Sequence, residues 1–440
     1  MKSARRAAWC ALTALERGRS ARVDDALDRD GLSPQDRALA LELARGVERM
    51  RLVLDTAIGA FVARSPKDPQ VRTLLRLGAY QLMYLTRVPA YAAVGETVGL
   101  LKNQRGFANG VLRNMARAIR EGAADAPLTR TEVPVAGGRV LQLPKPALPD
   151  PKSDPLAHAS RTEGIPEFLV RRWAKAWDVE TARQVARASS AAPSTVLRAR
   201  VDDPSAESLA AALVAEEVEI EVTDHPRLLR WTGGRSPFVG EAFAKGLFVV
   251  QDPTAVRAAE AVAPAEGAVV VDLCAGPGTK TSLLAELVGP AGHVHAFDVS
   301  EARRAPISET AERLGLADRV TVHDDVEALP AADAVLVDVP CSNTGVLARR
   351  VEVRRRLKES VFAELAATQR ELLQRALSLV KPSGGTVVYS TCSIDPEEND
   401  QVVDAVVAAP HAVVRRELTL PDPGRCDGGY FAVVSCSGVS

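Results

Sequence analysis

The chain has 440 residues, 46% of them hydrophobic and 25% charged, with a formal net charge of −1. That length accommodates about two or three domains, the composition is an ordinary globular one, and the near-zero net charge excludes a chain coated uniformly in positive charge. No apolar run reaches the roughly 18 residues a membrane span needs, and the start, "MKSARRAAWCALTALERG", has its short apolar stretch broken by Glu16 and Arg17, so no secretory signal is expected.

The expected setting is therefore cytoplasmic, without membrane attachment, and the six cysteines are expected to be reduced. They are Cys10, Cys274, Cys341, Cys392, Cys426 and Cys436. None forms a C-x-x-C pair and no histidine stands at ligand spacing beside them, so no metal site is expected. Charge is unevenly spread. Residues 1–120 carry 21 Lys/Arg against 11 Asp/Glu, and a second basic run, "ARRVEVRRRLK", occupies 348–358. Two basic zones on a near-neutral chain predict a localised footprint for a polyanion.

Residues 1–122 read as an all-helical domain. Ser33-Pro34 opens a helix, with Ser as N-cap, Pro at the first helical position and Asp36 as the acid that follows. Leu39, Leu43, Val47, Met50 and Leu54 then make one apolar stripe. The helix through "VRTLLRLGAYQLMYL" is expected to stop near Val88-Pro89, since proline cannot continue the hydrogen-bond ladder. "AAVGETVGLLK" and "FANGVLRNMARAIR" complete the bundle, with Arg113, Arg117 and Arg120 on one face of the last helix.

Residues 123–163 contain "PVAGGRVLQLPKPALPDPKSDP", too rich in Pro and Gly for a helix or a central strand, and read as an extended linker. Residues 164–246 read as a small α+β module: helices in "EFLVRRWAKAW" and "VETARQVARAS", then strands "STVLRARV" and "VEIEVTD" flanking the helix "ESLAAALVAEE". From 247 to 440, Val-rich runs alternate with helical stretches: "GAVVVDLC", "HVHAFDV", "RVTVH", "DAVLVDV" and "GTVVYST". Buried parallel strands look like this, and the alternation predicts a doubly wound α/β domain binding its ligand at the carboxyl ends of the strands.

Each candidate motif falls at such an end. "VVVDLCAGPGTKTSLLAELV" is a strand, a loop and a helix start. Gly276 and Gly278 allow backbone to approach a ligand closely, and the helix start offers unpaired N–H groups to an anionic group. Asp298 ends the next strand, 26 residues after Asp272, where a carboxylate can hold ribose hydroxyls. In "HDDVEALP" another acid, Asp325 or its neighbour Asp324, suits an adenine edge. The glycine spacing matches neither the dinucleotide fingerprint nor the P-loop. An adenosyl ligand without a triphosphate fits better, and S-adenosylmethionine is the natural candidate.

Two thiols occupy similar settings: Cys341 in "DVPCSNTG" and Cys392 in "VVYSTCSID". Taken singly, a cysteine at a strand end is most often a small buried hydrophobe. Taken with the cofactor loop, they resemble a family. "DLCAGPGTKT", "DVPCSNTGV" and "STCSIDPEEND" in this order look like the RNA cytosine-5 methyltransferases of the NOL/NOP2/Sun class. "DRALALELARGVERMRLVLDTAI", "LLRLGAYQLMYLTRVPAYAAVGETV" and "FANGVLRNMAR" look like the NusB-like helical domain fused to one branch, the bacterial enzymes acting on small-subunit ribosomal RNA. The resemblance covers nearly the whole chain. It implies a Rossmann-like class I S-adenosylmethionine-dependent methyltransferase domain, preceded by an all-α NusB-like RNA-binding domain and the small α+β module.

The resemblance also assigns roles. Carbon 5 of cytosine is too weak a nucleophile until a thiolate adds to carbon 6. Carried over, Cys392 attacks and Cys341 assists release, Asp338 bonds the base edge, and Lys280 faces the base or the cofactor's carboxylate. Cys274, Ala275, Gly276, Pro277, Gly278, Thr279 and Lys280, with Asp298, Asp325 and Asp338, would line the cofactor pocket. Asn343 stands where the family has a small residue, and Val339 where alanine is usual. The target base must be unpaired or flipped out, and Arg349, Arg350, Arg354, Arg355 and Arg356 are expected to grip the flanking phosphates. A monomer is expected. Transfer RNA or another RNA as substrate, or a scaffold that binds RNA without catalysis, are the alternatives.

Overall fold

Ser33 caps the helix Pro34–Arg49 as its sequence predicts, its hydroxyl accepting from the Asp36 amide at 3.1 Å. The computed structural model describes residues 3–122, 129–201 and 205–437. They divide into two units, Met1–Ser190 with Leu347–Arg356, and Ala191–Val346 with Leu357–Ser440.

In the first unit the helices Ala4–Glu16, Pro34–Arg49, Arg51–Phe61, Pro69–Tyr84, Ala90–Val98 and Arg105–Ala118 enclose a core that includes Leu43, Val47, Leu54, Leu74, Leu77 and Leu112. The apolar stripe from Leu39 to Leu54 crosses a break: Met50 leaves helical geometry (φ −99°, ψ 13°) and divides it between two helices. A stripe reports the buried face, not the continuity of the backbone. Helix Pro69–Tyr84 ends at Leu85, before the expected Val88-Pro89, and Pro89 instead precedes the next helix.

Four sequence expectations fail in this unit. Arg120 does not continue the face of Arg113 and Arg117, because the helix stops at Ala118 and Arg120 lies in strand β1 (Ile119–Glu121). The supposed linker 123–163 is structured where it is described, its residues 123–128 lying outside the described residues. Strands β2 (Glu132–Val135) and β3 (Arg139–Gln142) pair with β1 in the order β1-β3-β2, and Pro155–Glu163 is a helix capped by Asp154. Pro134 lies in β2, an edge strand of this sheet, where a missing N–H is tolerated. Gly137 and Gly138, both at positive φ, make the turn between β2 and β3. Helices Glu167–Ala176 and Val179–Ser190, assigned from sequence to the α+β module, belong to this first unit.

The fourth failure concerns the arginine run. Arg354 is not available to phosphate: it is buried, with Nη1 donating to Arg49 O at 2.7 Å and Gly164 O at 3.3 Å, and Nη2 donating to Ser189 O and Leu347 O. Burial pulls its pKa down to about 9. Arg355 donates to Leu15 O at 3.2 Å and lies 3.8 Å from Glu48, yet it stays exposed. Arg350 and Arg356 are exposed, and Arg349 is half-buried. A basic run in sequence does not say which of its guanidinium groups is used to close backbone carbonyls.

In the second unit β4 (Thr195–Ala199), β5 (Val218–Val222), β6 (Leu228–Gly234) and β7 (Phe248–Val250) form an antiparallel sheet in the order β5-β6-β4-β7, covered by helix Ala206–Ala215. The module thus runs past the expected boundary at 246. Arg198 of β4 is fully buried and bonds Glu286 (2.7 Å), Gln251 (2.8 Å) and Ser282 (3.1 Å), which fixes the small sheet to helix Thr279–Leu287.

The larger sheet contains β8 (Val269–Asp272), β9 (His293–Phe297), β10 (Val320–His323), β11 (Ala334–Asp338), β12 (Gly384–Thr391), β13 (Ala412–Thr419) and β14 (Gly429–Ser437). Their order is β10-β9-β8-β11-β12-β14-β13; β8 to β12 run parallel, and β14 is antiparallel to both its neighbours. The five sequence-predicted strands are the five parallel ones. The order reverses between β8 and β11, the switch point at which open α/β sheets bind ligands.

Replacing Arg354 by Ala removes the donor shared by these buried carbonyls. We expect R354A to lose about 2–4 kcal/mol in denaturant unfolding, whereas R350A, at an exposed position, should stay within about 0.5 kcal/mol of wild type. Equal stabilities for the two variants would refute the structural role of Arg354.

Candidate active site

The loop between β8 and helix Thr279–Leu287 is shaped by two glycines. Gly278 sits at the helix N-cap with φ 100°, a conformation that disfavours side chains. Gly276 approaches Asp298 so closely that a Cβ there would lie 2.7 Å from Oδ2, and its own amide donates to that oxygen at 3.1 Å. Asp298, at the end of β9, is buried; its carboxylate also accepts from Ser300 N at 3.0 Å and lies 3.4 Å from Arg303 Nε. Asp325 is exposed and caps the short turn Val326–Ala328 through Glu327 N at 3.0 Å. Asp324 beside it is exposed as well. Cys274 lies in the loop, and burial pushes its thiol well above the ordinary range, so it is held neutral.

Asp272, which sequence reasoning used only as a landmark, lies under this loop. Its Oδ2 accepts from Thr281 Oγ1 at 2.7 Å, while the buried Oδ1 has no partner. Burial pushes its pKa up to about 7. The signal available in sequence was the acid that ends "VVVD".

The two thiols meet through strand pairing. β11 and β12 are adjacent and parallel, with Asp338 opposite Ser390, so the segments leaving both strands emerge side by side. Cys341 Sγ and Cys392 Sγ, 51 residues apart in the chain, are 3.1 Å apart, and both are free thiols. Asn343, in left-handed backbone (φ 62°), donates from Nδ2 to Cys341 O at 2.7 Å and sets Oδ1 3.5 Å from Cys392 Sγ. The position where the family has a small residue thus touches the second thiol. Contact with Cys392, then burial, pushes the Cys341 thiol up.

Asp338 is fixed from both sides: Lys280 Nζ donates to Oδ2 and Ser390 Oγ to Oδ1, each at 2.7 Å. Burial pulls Lys280 down, but Asp338 outweighs it and leaves the ammonium above its ordinary value. A cavity of about 130 Å³ is lined by Cys392, Lys280, Asp338, Ser390 and Asp427. Cys341 is not part of that lining. The fold therefore brings Cys392, Asp338 and Lys280 to one cavity, with Cys341 in contact with Cys392 and the glycine loop next to them through Lys280. Among the described residues, no group of three or more His, Cys, Asp or Glu side chains is arranged to hold a metal ion.

Known proteins similar to this chain identify its family. Residues 259–429 match the family model described as 16S rRNA methyltransferase RsmB/F, and residues 2–117 match the NusB family. The chain is 32% identical over 395 residues to the probable ribosomal RNA small subunit methyltransferase B of Bacillus subtilis (strain 168), covering 86% of this chain and 81% of that protein. It is 31% identical over 425 residues to the ribosomal RNA small subunit methyltransferase B of Klebsiella pneumoniae (strain 342), covering 91% and 90%. The crystal structure of PH0851 shares the fold, with a TM-score of 0.74 over 98% of both chains at 21% identity.

The cofactor is S-adenosylmethionine, and the residues present fit it. The glycine cradle admits a ligand where a side chain could not stand, and the unpartnered Asp272 oxygen suits a cationic amino group. Asp272 has a consequence for stability. Its carboxyl is raised from 3.8 to about 7, so its favourable contribution is complete below about pH 4 and is lost as pH rises through 7. We expect D272N to raise the melting temperature of the cofactor-free protein at pH 8 more than at pH 5. The same variant should weaken S-adenosylmethionine by about tenfold or more in calorimetric titration, since the loss of one charged hydrogen bond is worth about 1.5–3 kcal/mol. A pH-independent melting difference would contradict the buried titration.

Proposed function

The chain belongs to the RsmB/F family of 16S rRNA methyltransferases, and from that membership we propose that it methylates carbon 5 of a cytosine in small-subunit ribosomal RNA through a transient bond between Cys392 and carbon 6. Methylation of ribosomal RNA is the family's activity; the atom modified and the roles of individual residues are the proposal. The observation that carries it is the pair of free thiols 3.1 Å apart, one of them facing the cavity that Lys280 and Asp338 also line.

The chemistry follows from the weakness of the ring carbon. Cys392, as thiolate, adds to carbon 6 and turns carbon 5 into an enamine-like nucleophile. Bound S-adenosylmethionine supplies an electrophilic methyl group to that carbon. Asp338, held by Lys280 and Ser390, is fixed before the base arrives, so orienting it costs nothing during the reaction. It bonds the base edge, and Lys280 offsets the negative charge around the ring. Solvent water then takes the carbon 5 proton, the electron pair of that bond re-forms the carbon 5–carbon 6 double bond, and the carbon 6–sulfur bond breaks with its pair returning to Cys392 as thiolate. Cys341, in contact with Cys392, assists this release.

A paired base cannot reach such a cavity, so the target nucleotide is taken single-stranded or flipped, at a cost of a few kcal/mol. Phosphate contacts offset that cost. Of the arginines expected to provide them, Arg350, Arg355 and Arg356 present exposed groups. The basic NusB-like domain supplies a second footprint.

Trapping with RNA carrying 5-fluorocytosine tests the assignment. C392A should form no covalent adduct and lose activity by a factor on the order of 10⁴. C341A should form the adduct and, with ordinary RNA, retain it as a slowly released species visible on denaturing gels. The opposite pattern would make Cys341 the nucleophile, and the absence of any adduct in the active wild-type enzyme would end the covalent reading.

A further inference from the structure

One buried carboxylate joins the loops that carry the two sulfurs. Glu398 is fully buried. Its Oε1 accepts from Ser342 N at 2.8 Å and Gln369 Nε2 at 3.0 Å; its Oε2 accepts from Ser342 Oγ and from Ser393 Oγ. Ser342 is the residue after Cys341, and Ser393 the residue after Cys392. A single side chain therefore grips the position following each thiol.

The surroundings add to this grip. Gln369, from helix Ser360–Ser378, also donates to Pro340 O at 2.9 Å, just before Cys341. Tyr389 donates its hydroxyl to Glu398 O. Asn399 accepts from Thr391 Oγ1 at 2.7 Å and donates to Ser393 O at 3.0 Å, bracing both sides of Cys392. These donors to the Glu398 carboxylate are neutral. A buried acid satisfied this way is costly to stability compared with an apolar residue of similar volume, which points to a role beyond packing.

The charges around the thiol pair are also unequal. On the cavity side stand Lys280 and Asp338, with Cys392. On the buried side stand Glu398 and Tyr389, and helix Ser360–Ser378 contributes only the neutral Gln369. Burial raises the Glu398 carboxyl above its ordinary range, while the hydrogen bonds from Ser342, Ser393 and Gln369 pull it back toward the ionised form; ionised, its negative charge opposes ionisation of Cys341.

We propose that Glu398 is a positioning residue that locks the Cys341 and Cys392 loops in contact and keeps the proton shared by the two thiols on Cys341, leaving Cys392 as the thiolate that faces the cavity. This rests on the reading of Cys392 as nucleophile. Thiol alkylation requires neither RNA nor methyl transfer, so it tests Glu398 even if the cytosine chemistry proves otherwise.

The experiment treats the full chain with substoichiometric iodoacetamide across a pH series and measures the Cys392-to-Cys341 modification ratio by peptide mass spectrometry. In the wild type Cys392 should react first. In E398Q, which keeps the shape and removes the charge, the ratio should fall about tenfold, equivalent to about one pKa unit, and kcat should fall with KM for RNA little changed. Equal or reversed reactivity in the wild type, or an E398Q ratio and pH profile within twofold of wild type, overturns the proposal. If E398Q shows no cooperative melting transition, S342A replaces it: a ratio lowered by threefold or more supports the proposal, and a smaller change overturns it.

Discussion

The parallel pairing of β11 with β12 is the constraint on which the active site depends. Asp338 stands opposite Ser390, and everything that follows in each segment inherits that register. The carboxylate can then be held by the neighbouring strand's hydroxyl, and two cysteines from distant parts of the chain leave the sheet together. In a parallel sheet each strand must be connected by a long crossover, so residues adjacent in space are necessarily far apart in sequence. A slip of a single residue would turn alternate side chains to the other face and separate the thiols, Asp338 and Ser390 at once.

The second theme is buried polarity at places where loops must be held. Arg198 and Glu286 form a fully buried pair between the small sheet and helix Thr279–Leu287. Arg354 closes carbonyls from three separate segments of the first unit. Glu398 joins the loops after β11 and β12. Apolar packing tolerates small displacements because it lacks direction, whereas a hydrogen-bonded carboxylate or guanidinium fixes its partners within a few tenths of an ångström. Two sulfurs that share a proton need that directional restraint.

Asp272 is the exception that points to a ligand. Most buried polar atoms at the site have partners, while its Oδ1 does not and its pKa rises with burial. Perturbed groups in a cleft commonly mark function, and here the perturbed group lies beneath a glycine cradle at the sheet's switch point. Stability and cofactor binding oppose each other at this residue.

Much of the fold was legible in the sequence because it is locally encoded. The Ser33 cap, the five Val-rich parallel strands and the glycine loop each express a short-range preference for one backbone state. Local reading failed where context overrides preference: Pro134 is acceptable because β2 has a free edge, the helix of the supposed linker starts on Asp154, and the stripe through Leu39 and Leu54 passes over a break at Met50. The motif order disclosed the two cysteines as a pair and linked them to the cofactor loop. It could not disclose that Arg354 points inward, that Asn343 touches Cys392, or that Glu398 binds the residue after each thiol. Residue identity and spacing, then, determined which chemistry the chain carries. Only the tertiary structure decided which charges face the cavity and which are sealed beneath it, because burial and hydrogen-bond partners arise from contacts between segments that no local pattern records.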